Sequence, residues 1–141
     1  MKTTKILVQK SETGLSEDNK AKLKSLEIYK DKKHFKFSNG WVDLAYELGK
    51  NIEEVCKLAN CELPKIEAMY NKYNSLRVDY NFTSPVPKIV ETLIDSLIYV
   101  TEDKSEMICE CCGKSCDIEI TEKNNNYINA CEKCFDRKKR D

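Results

Sequence analysis

Six of the chain's eight cysteines fall between positions 109 and 134. Cys109-x2-Cys112 and Cys131-x2-Cys134 form two pairs separated by residues 113–130. Four thiolates so arranged suit tetrahedral zinc, because each CxxC loop delivers two sulfurs to one side of a tight turn. Thiols without metal, a redox pair and an iron–sulfur cluster are the competing readings of that spacing. Gly113 follows the second cysteine and, lacking a Cβ, lets the turn close under the metal. Four cysteine ligands leave zinc no open position, so the expected ion is structural Zn2+, one per chain. Cys111 and Cys116 are read as non-ligands, although Cys112-x3-Cys116 offers an alternative pairing. Cys56 and Cys61 stand apart from the cluster and read as structural thiols. The single histidine, His34, has no Ser or Cys partner in a recognisable motif and reads as a surface or packing residue.

The elements around the pairs agree with that chemistry. Asp117 to Thr121 alternates, Lys123 to Asn126 turns, and Tyr127 to Asn129 returns, which predicts a hairpin between the pairs. The second pair sits where a helix can begin. Knuckle, hairpin and helix together make a treble-clef arrangement over 105–141. In its spacing, and in Tyr127…Asn129-Ala130-Cys131-Glu132-Lys133-Cys134, the module resembles a GATA-like zinc finger. It lacks that family's Trp-Arg-Arg type DNA-reading segment in the hairpin. It is also similar to the two-CxxC module of Gin-type anti-sigma factors, which implies a protein partner.

The preceding segment, 1–104, reads as a helical domain. Ser16 is a candidate N-cap with Glu17 and Asp18 in the first turn. His34 to Phe37 alternates like a short strand. Residues 41–60, WVDLAYELGKNIEEVCKLAN, split into a helix from Trp41 to Leu48, a stop at Gly49, and a second helix capped by Asn51 and Glu54. Ala45 at the crossing, Gly49 at the turn and Val55 in the second helix make this segment resemble a bacterial helix-turn-helix. That resemblance places the second helix in a major groove, with Asn51, Lys57 and Asn60 as base- and phosphate-contacting residues. Glu53 and Glu54 on the same helix oppose phosphate contact. A further helix is expected over 64–74 from Ile66, Met69, Tyr70 and Tyr73. Residues 77–86 look extended. A helix over 87–100 follows, with Ile89, Val90, Leu93, Ile94, Leu97 and Ile98 at helical spacing. Residues 101–105 read as a linker. The expected fold class is mainly α with a small β-hairpin: a helix-turn-helix-like domain followed by a four-cysteine treble-clef finger.

Composition bounds the function. The 141 residues carry 24 basic and 24 acidic side chains, so net charge gives no polyanion signal. The distribution is uneven: residues 1–37 hold ten Lys against five acids, whereas residues 83–108 hold two Lys against five acids. The other basic cluster, Arg137, Lys138, Lys139 and Arg140, is the second candidate nucleic-acid contact. No Gly-rich phosphate loop, nucleophile elbow or spaced carboxylate pair appears, so neither an enzyme nor a small-molecule substrate is expected. The start has only Ile6, Leu7 and Val8 as an apolar run, and no window suits a membrane span, so a cytoplasmic protein is expected. Lys-, Asn- and Ile-rich usage, with arginine only at Arg77, Arg137 and Arg140, fits an AT-rich bacterial or phage genome. Two functions fit. One is a small transcription regulator binding DNA through 41–60. The other is a protein-binding adaptor or inhibitor, anti-sigma-like or a phage host-takeover factor, using the zinc module and helix 87–100 against a host regulatory protein.

Overall fold

The computed structural model describes residues 15–31, 35–113, 118–120 and 129–131. Among these the fold is mixed: three α-helices, a two-stranded antiparallel hairpin, and a short strand pair in the cysteine-rich segment. Helix α1, Glu17–Lys24, starts where the sequence predicts: the Ser16 side chain accepts the Asn19 N–H at 3.2 Å. Glu17 and Asp18 in its first turn and Lys22 and Lys24 in its last complement the helix dipole.

The helix-turn-helix expected over 41–60 is not present. Helix α2 runs unbroken over Val42–Ala59, and its left-handed C-cap is Asn60, at φ 57°, rather than Gly49. The reason lies in its buried stripe. Val42, Ala45, Leu48, Gly49, Ile52 and Cys56 keep helical spacing straight through the supposed turn. Gly49 is a notch in that stripe: a Cβ there would stand 2.7 Å from the Tyr29 ring and 2.9 Å from a Leu26 methyl. The 3₁₀ turn Glu27–Tyr29 presses into the notch, and the Tyr29 hydroxyl donates to the Ala45 carbonyl at 2.7 Å. Asn51 and Glu54 are mid-helix residues, not caps.

The helix expected over 64–74 is a strand. Strands β1, Lys65–Lys72, and β2, Ser75–Asn81, pair antiparallel through a two-residue turn in which Tyr73 and Asn74 both have positive φ, 54° and 67°. Such primed turns match the twist of the strands they join. The helical reading failed for a local reason. The register shifts between Ile66 and Ala68, so a bulge at Glu67 places Ile66 and Met69, three apart, on the same buried face. Beyond the bulge the period of two is restored, with Leu76 and Val78 buried on β2. Lys36 lies beside β1, donating to the Met69 carbonyl at 3.0 Å and accepting from Asn71 N–H at 3.3 Å. Phe35 and Phe37 on either side of it are buried, as the alternation predicts.

Helix α3, Lys88–Ser105, runs through the segment read as a linker. Its apolar period ends at Ile98, but Thr101 and Ser105 continue the buried face. These last turns satisfy β2 amides that β1 does not pair. Leu76 N–H donates to the Ser105 hydroxyl at 2.8 Å, and Val78 N–H donates to the Glu102 carboxylate at 3.0 Å. Burial holds the Glu102 carboxyl above its ordinary range. Trp41, Tyr29, Leu23, Leu48, Ile52, Met69, Leu76 and Ile94 fill the centre of the core. Each such side chain contributes roughly 1.5–3 kcal/mol of burial. Tyr29, Phe35, Phe37 and Trp41 form an aromatic row through it, with centroids 5.8, 6.1 and 6.5 Å apart; the first two contacts are edge-on and the third is tilted.

Candidate metal centre

The first cysteine pair follows α3 directly. Two successive turns, Met107 N–H to the Lys104 carbonyl and Ile108 N–H to the Ser105 carbonyl, lead the chain from the helix into Cys109. There it folds back on itself. Gly113 N–H donates to the Cys109 carbonyl at 2.8 Å, and Cys112 N–H points at the Cys109 sulfur, 3.4 Å away. Gly113 has φ 81°, where a side chain would be strained. An amide aimed at the first sulfur, with a left-handed glycine closing the turn, is the shape a CxxC loop needs. In metal-binding proteins, loops of this shape bring two sulfurs to one ion.

The loop is clamped to the core from two sides. Trp41 Nε1 donates to the Ile108 carbonyl at 3.0 Å, and Gly40 N–H donates to the Glu110 carbonyl at 2.7 Å. Gly40 is there because nothing larger fits: a Cβ would fall onto the backbone carbonyls of Cys109 and Glu110. Glu110 itself is fully buried between the two cysteines of the pair. Its Oε2 accepts the Ser38 N–H at 3.0 Å and its Oε1 accepts from Asn71 Nδ2 at 2.7 Å. None of these partners was visible in the spacing that marks the cysteines. Neither Glu110 nor Gly40 carries a local sequence signal for this role.

Of the four expected ligands, Cys109 is buried and Cys112 is exposed. Cys131 lies on the strand Asn129–Cys131 (β4), whose backbone pairs antiparallel with Ile118–Ile120 (β3) in the register Ile118 to Cys131. The antiparallel pair expected here has its return strand over 127–129; β4 instead takes in Cys131, and residues 121–128 lie outside the described residues. Cys134, Cys116 and Arg137 to Arg140 lie outside the described residues, as do His34 and residues 1–14. Among the described residues no three metal-binding side chains come together. Cys111 is half-buried. Cys56 is buried on α2, and burial pushes its thiol up, as fits a packing residue.

The expected DNA-contacting residues of 41–60 do not form one surface. Asn51 and Lys57, six residues apart on one helix, are about 120° around it from each other, and Asn60 is the left-handed C-cap beyond its end. Lys57 is exposed, but the neighbouring Glu53 is turned inward, its carboxylate accepting the Ile28 N–H at 2.9 Å. Exposed apolar side chains stand singly at Leu58 on α2 and Tyr73 in the hairpin turn, and in a group on α3. Ile89, Leu93 and Val100 are 64, 45 and 48 % exposed along one stripe, with Tyr99 beside it. Thr92, Asp95, Ser96, Tyr99 and Val100 line a shallow, open depression on that face. Met107, beyond the end of α3, is also exposed. No described helix is long and apolar enough to cross a membrane. Compared with family models, curated proteins and solved structures, the chain matches none.

Proposed function

We propose that the chain is a zinc-stapled protein-binding module, an adaptor or inhibitor that docks on a partner protein through α3 and the adjoining cysteine loop. One observation carries the reading: α3 buries one stripe in the core and leaves a second, Ile89, Leu93 and Val100 with Tyr99, open to solvent. Large apolar side chains gathered in the open on one helix face mark interaction sites. The surrounding segment 83–108 has two basic and five acidic residues, which disfavours a polyanion and leaves a protein as the partner. Zinc held by Cys109, Cys112, Cys131 and Cys134 would tie the chain beyond α3 to this face. The donor set and the knuckle geometry of Cys109 to Gly113 fit that ion.

A DNA-binding regulator is the competing reading and has less support. Asn51, Lys57 and Asn60 share no face of α2, and Glu53 and Glu54 stand among them. Fluorescence anisotropy with random duplex DNA across a salt series separates the two. Binding at micromolar or tighter affinity that weakens steeply with salt overturns the adaptor reading. The adaptor reading expects no such binding. It also expects co-purification of one defined protein from the native host that is lost in Leu93→Glu and Val100→Glu but kept in Glu47→Lys on α2. Elemental analysis is expected to find about one zinc per chain, lost in Cys109→Ser and Cys131→Ser and kept in Cys56→Ser.

A further inference from the structure

The spacing identifies ligands but says nothing of what holds them in place. Glu110 lies between two of them, and its carboxylate and main-chain carbonyl all engage the body of the protein. Its carbonyl takes Gly40 N–H, one carboxylate oxygen takes Ser38 N–H and the other takes the Asn71 amide. These three partners come from the entry to α2 and from β1, so the loop is gripped by two separate elements. With Ile108 held by Trp41, the residues on either side of Cys109 are both fixed. What remains is Cys109, with its carbonyl and sulfur already facing the amides of Gly113 and Cys112.

We infer that Glu110 is a positioning residue for the metal: it holds Cys109 and Cys112 in the ligating arrangement before any ion binds. The inference rests on the zinc reading above. A preformed loop does not have to be ordered by the ion, so the backbone entropy of the turn is no longer drawn from the metal's binding energy. A residue in this role behaves like other groups that orient ligands from behind, whose loss lowers metal affinity about 10- to 100-fold. A structural role alone predicts a lower melting temperature with affinity unchanged.

The test uses the full chain, stripped of metal, with Co(II) titrated against a competing chelator well below the melting temperature. Tetrahedral thiolate coordination reports itself in the Co(II) visible and charge-transfer bands. Glu110→Ala is expected to lose about 10- to 100-fold in Co(II) affinity while its helical signal persists. Glu110→Gln, which keeps the side chain's length and one acceptor, is expected to fall between it and the parent. Asn71→Ala removes one support of the carboxylate without touching the loop, and is expected to weaken Co(II) binding in the same direction. It decides the matter if Glu110→Ala does not fold. Co(II) affinity within threefold of the parent in Glu110→Gln and Asn71→Ala overturns the positioning role. Failure of the parent chain itself to bind Co(II) overturns the zinc reading, and the positioning role with it.

Discussion

Gly40→Ala tests how firmly the cysteine loop is built into the core. The added Cβ would stand 2.5 Å from the Glu110 carbonyl carbon and nearer still to two carbonyl oxygens, all of them backbone atoms. No rotamer change relieves such a contact, so either Gly40 or the loop must retreat. Retreat stretches the Gly40 N–H bond to the Glu110 carbonyl, worth about 1 kcal/mol. It also pulls the buried carboxylate from Ser38 and Asn71, two charge-assisted bonds worth about 1.5–3 kcal/mol each. Water that enters the gap recovers part of this, leaving a loss of roughly 3 kcal/mol. For a domain of this size that lowers Tm by about 10 °C. Thermal and urea unfolding followed by circular dichroism, on metal-free protein, measures the loss without any contribution from zinc. A stability within about 0.5 kcal/mol of the parent, the ordinary range for an inconsequential surface change, would refute the clamp.

Four further outcomes are expected. Gly49→Ala is expected to lower Tm despite alanine's roughly 1 kcal/mol advantage in a helix, because the Cβ meets the Tyr29 ring; a raised Tm would mean the notch is not tight. Tyr29→Phe loses the hydroxyl bond to Ala45, about 1 kcal/mol at pH 7. Burial raises the Tyr29 phenol's pKa, so its contribution is intact below the unfolded value of about 10 and is lost as pH rises through the folded value; the gap between parent and variant is expected to narrow in urea titrations above pH 10, and a constant gap contradicts this. Gly113→Ala forces a side chain into a left-handed turn 3.0 Å from the Gly40 carbonyl, and is expected to cost about 1–2 kcal/mol by the same unfolding assay. Chelation of zinc is expected to leave most far-UV helical signal standing, since α2 and α3 pack in a core whose buried residues all lie between Leu15 and Ile98; cooperative loss of that signal would point to one fold built around the metal.

Some of this molecule could be read from local pattern alone. The Ser16 cap, the alternation of Phe35 and Phe37, and the apolar period of α3 from Val90 to Ile98 depend only on neighbours in sequence, and the structure reproduces them. The tight turn at Cys109 to Gly113 was also legible, because Gly113 alone adopts its left-handed backbone freely. The alternation at Asp117 to Thr121 marked the strand Ile118–Ile120, but its partner strand takes in Cys131.

Other features were decided by contacts between distant segments. Gly49 carries the local signature of a helix stop, yet the buried stripe from Val42 to Cys56 passes straight through it. Its missing side chain serves Tyr29, twenty residues earlier in the chain, rather than a turn. Ile66 and Met69 show helical spacing, but a bulge that only strand pairing creates puts them on one face of a sheet. Residues 101–105 look like linker because they are polar. They are helical because Glu102 and Ser105 meet the amides of Val78 and Leu76 on β2, an advantage invisible to periodicity. Glu110 follows the same rule: its chemistry is plain in sequence, but its role depends on Ser38, Gly40 and Asn71, which folding alone brings to it.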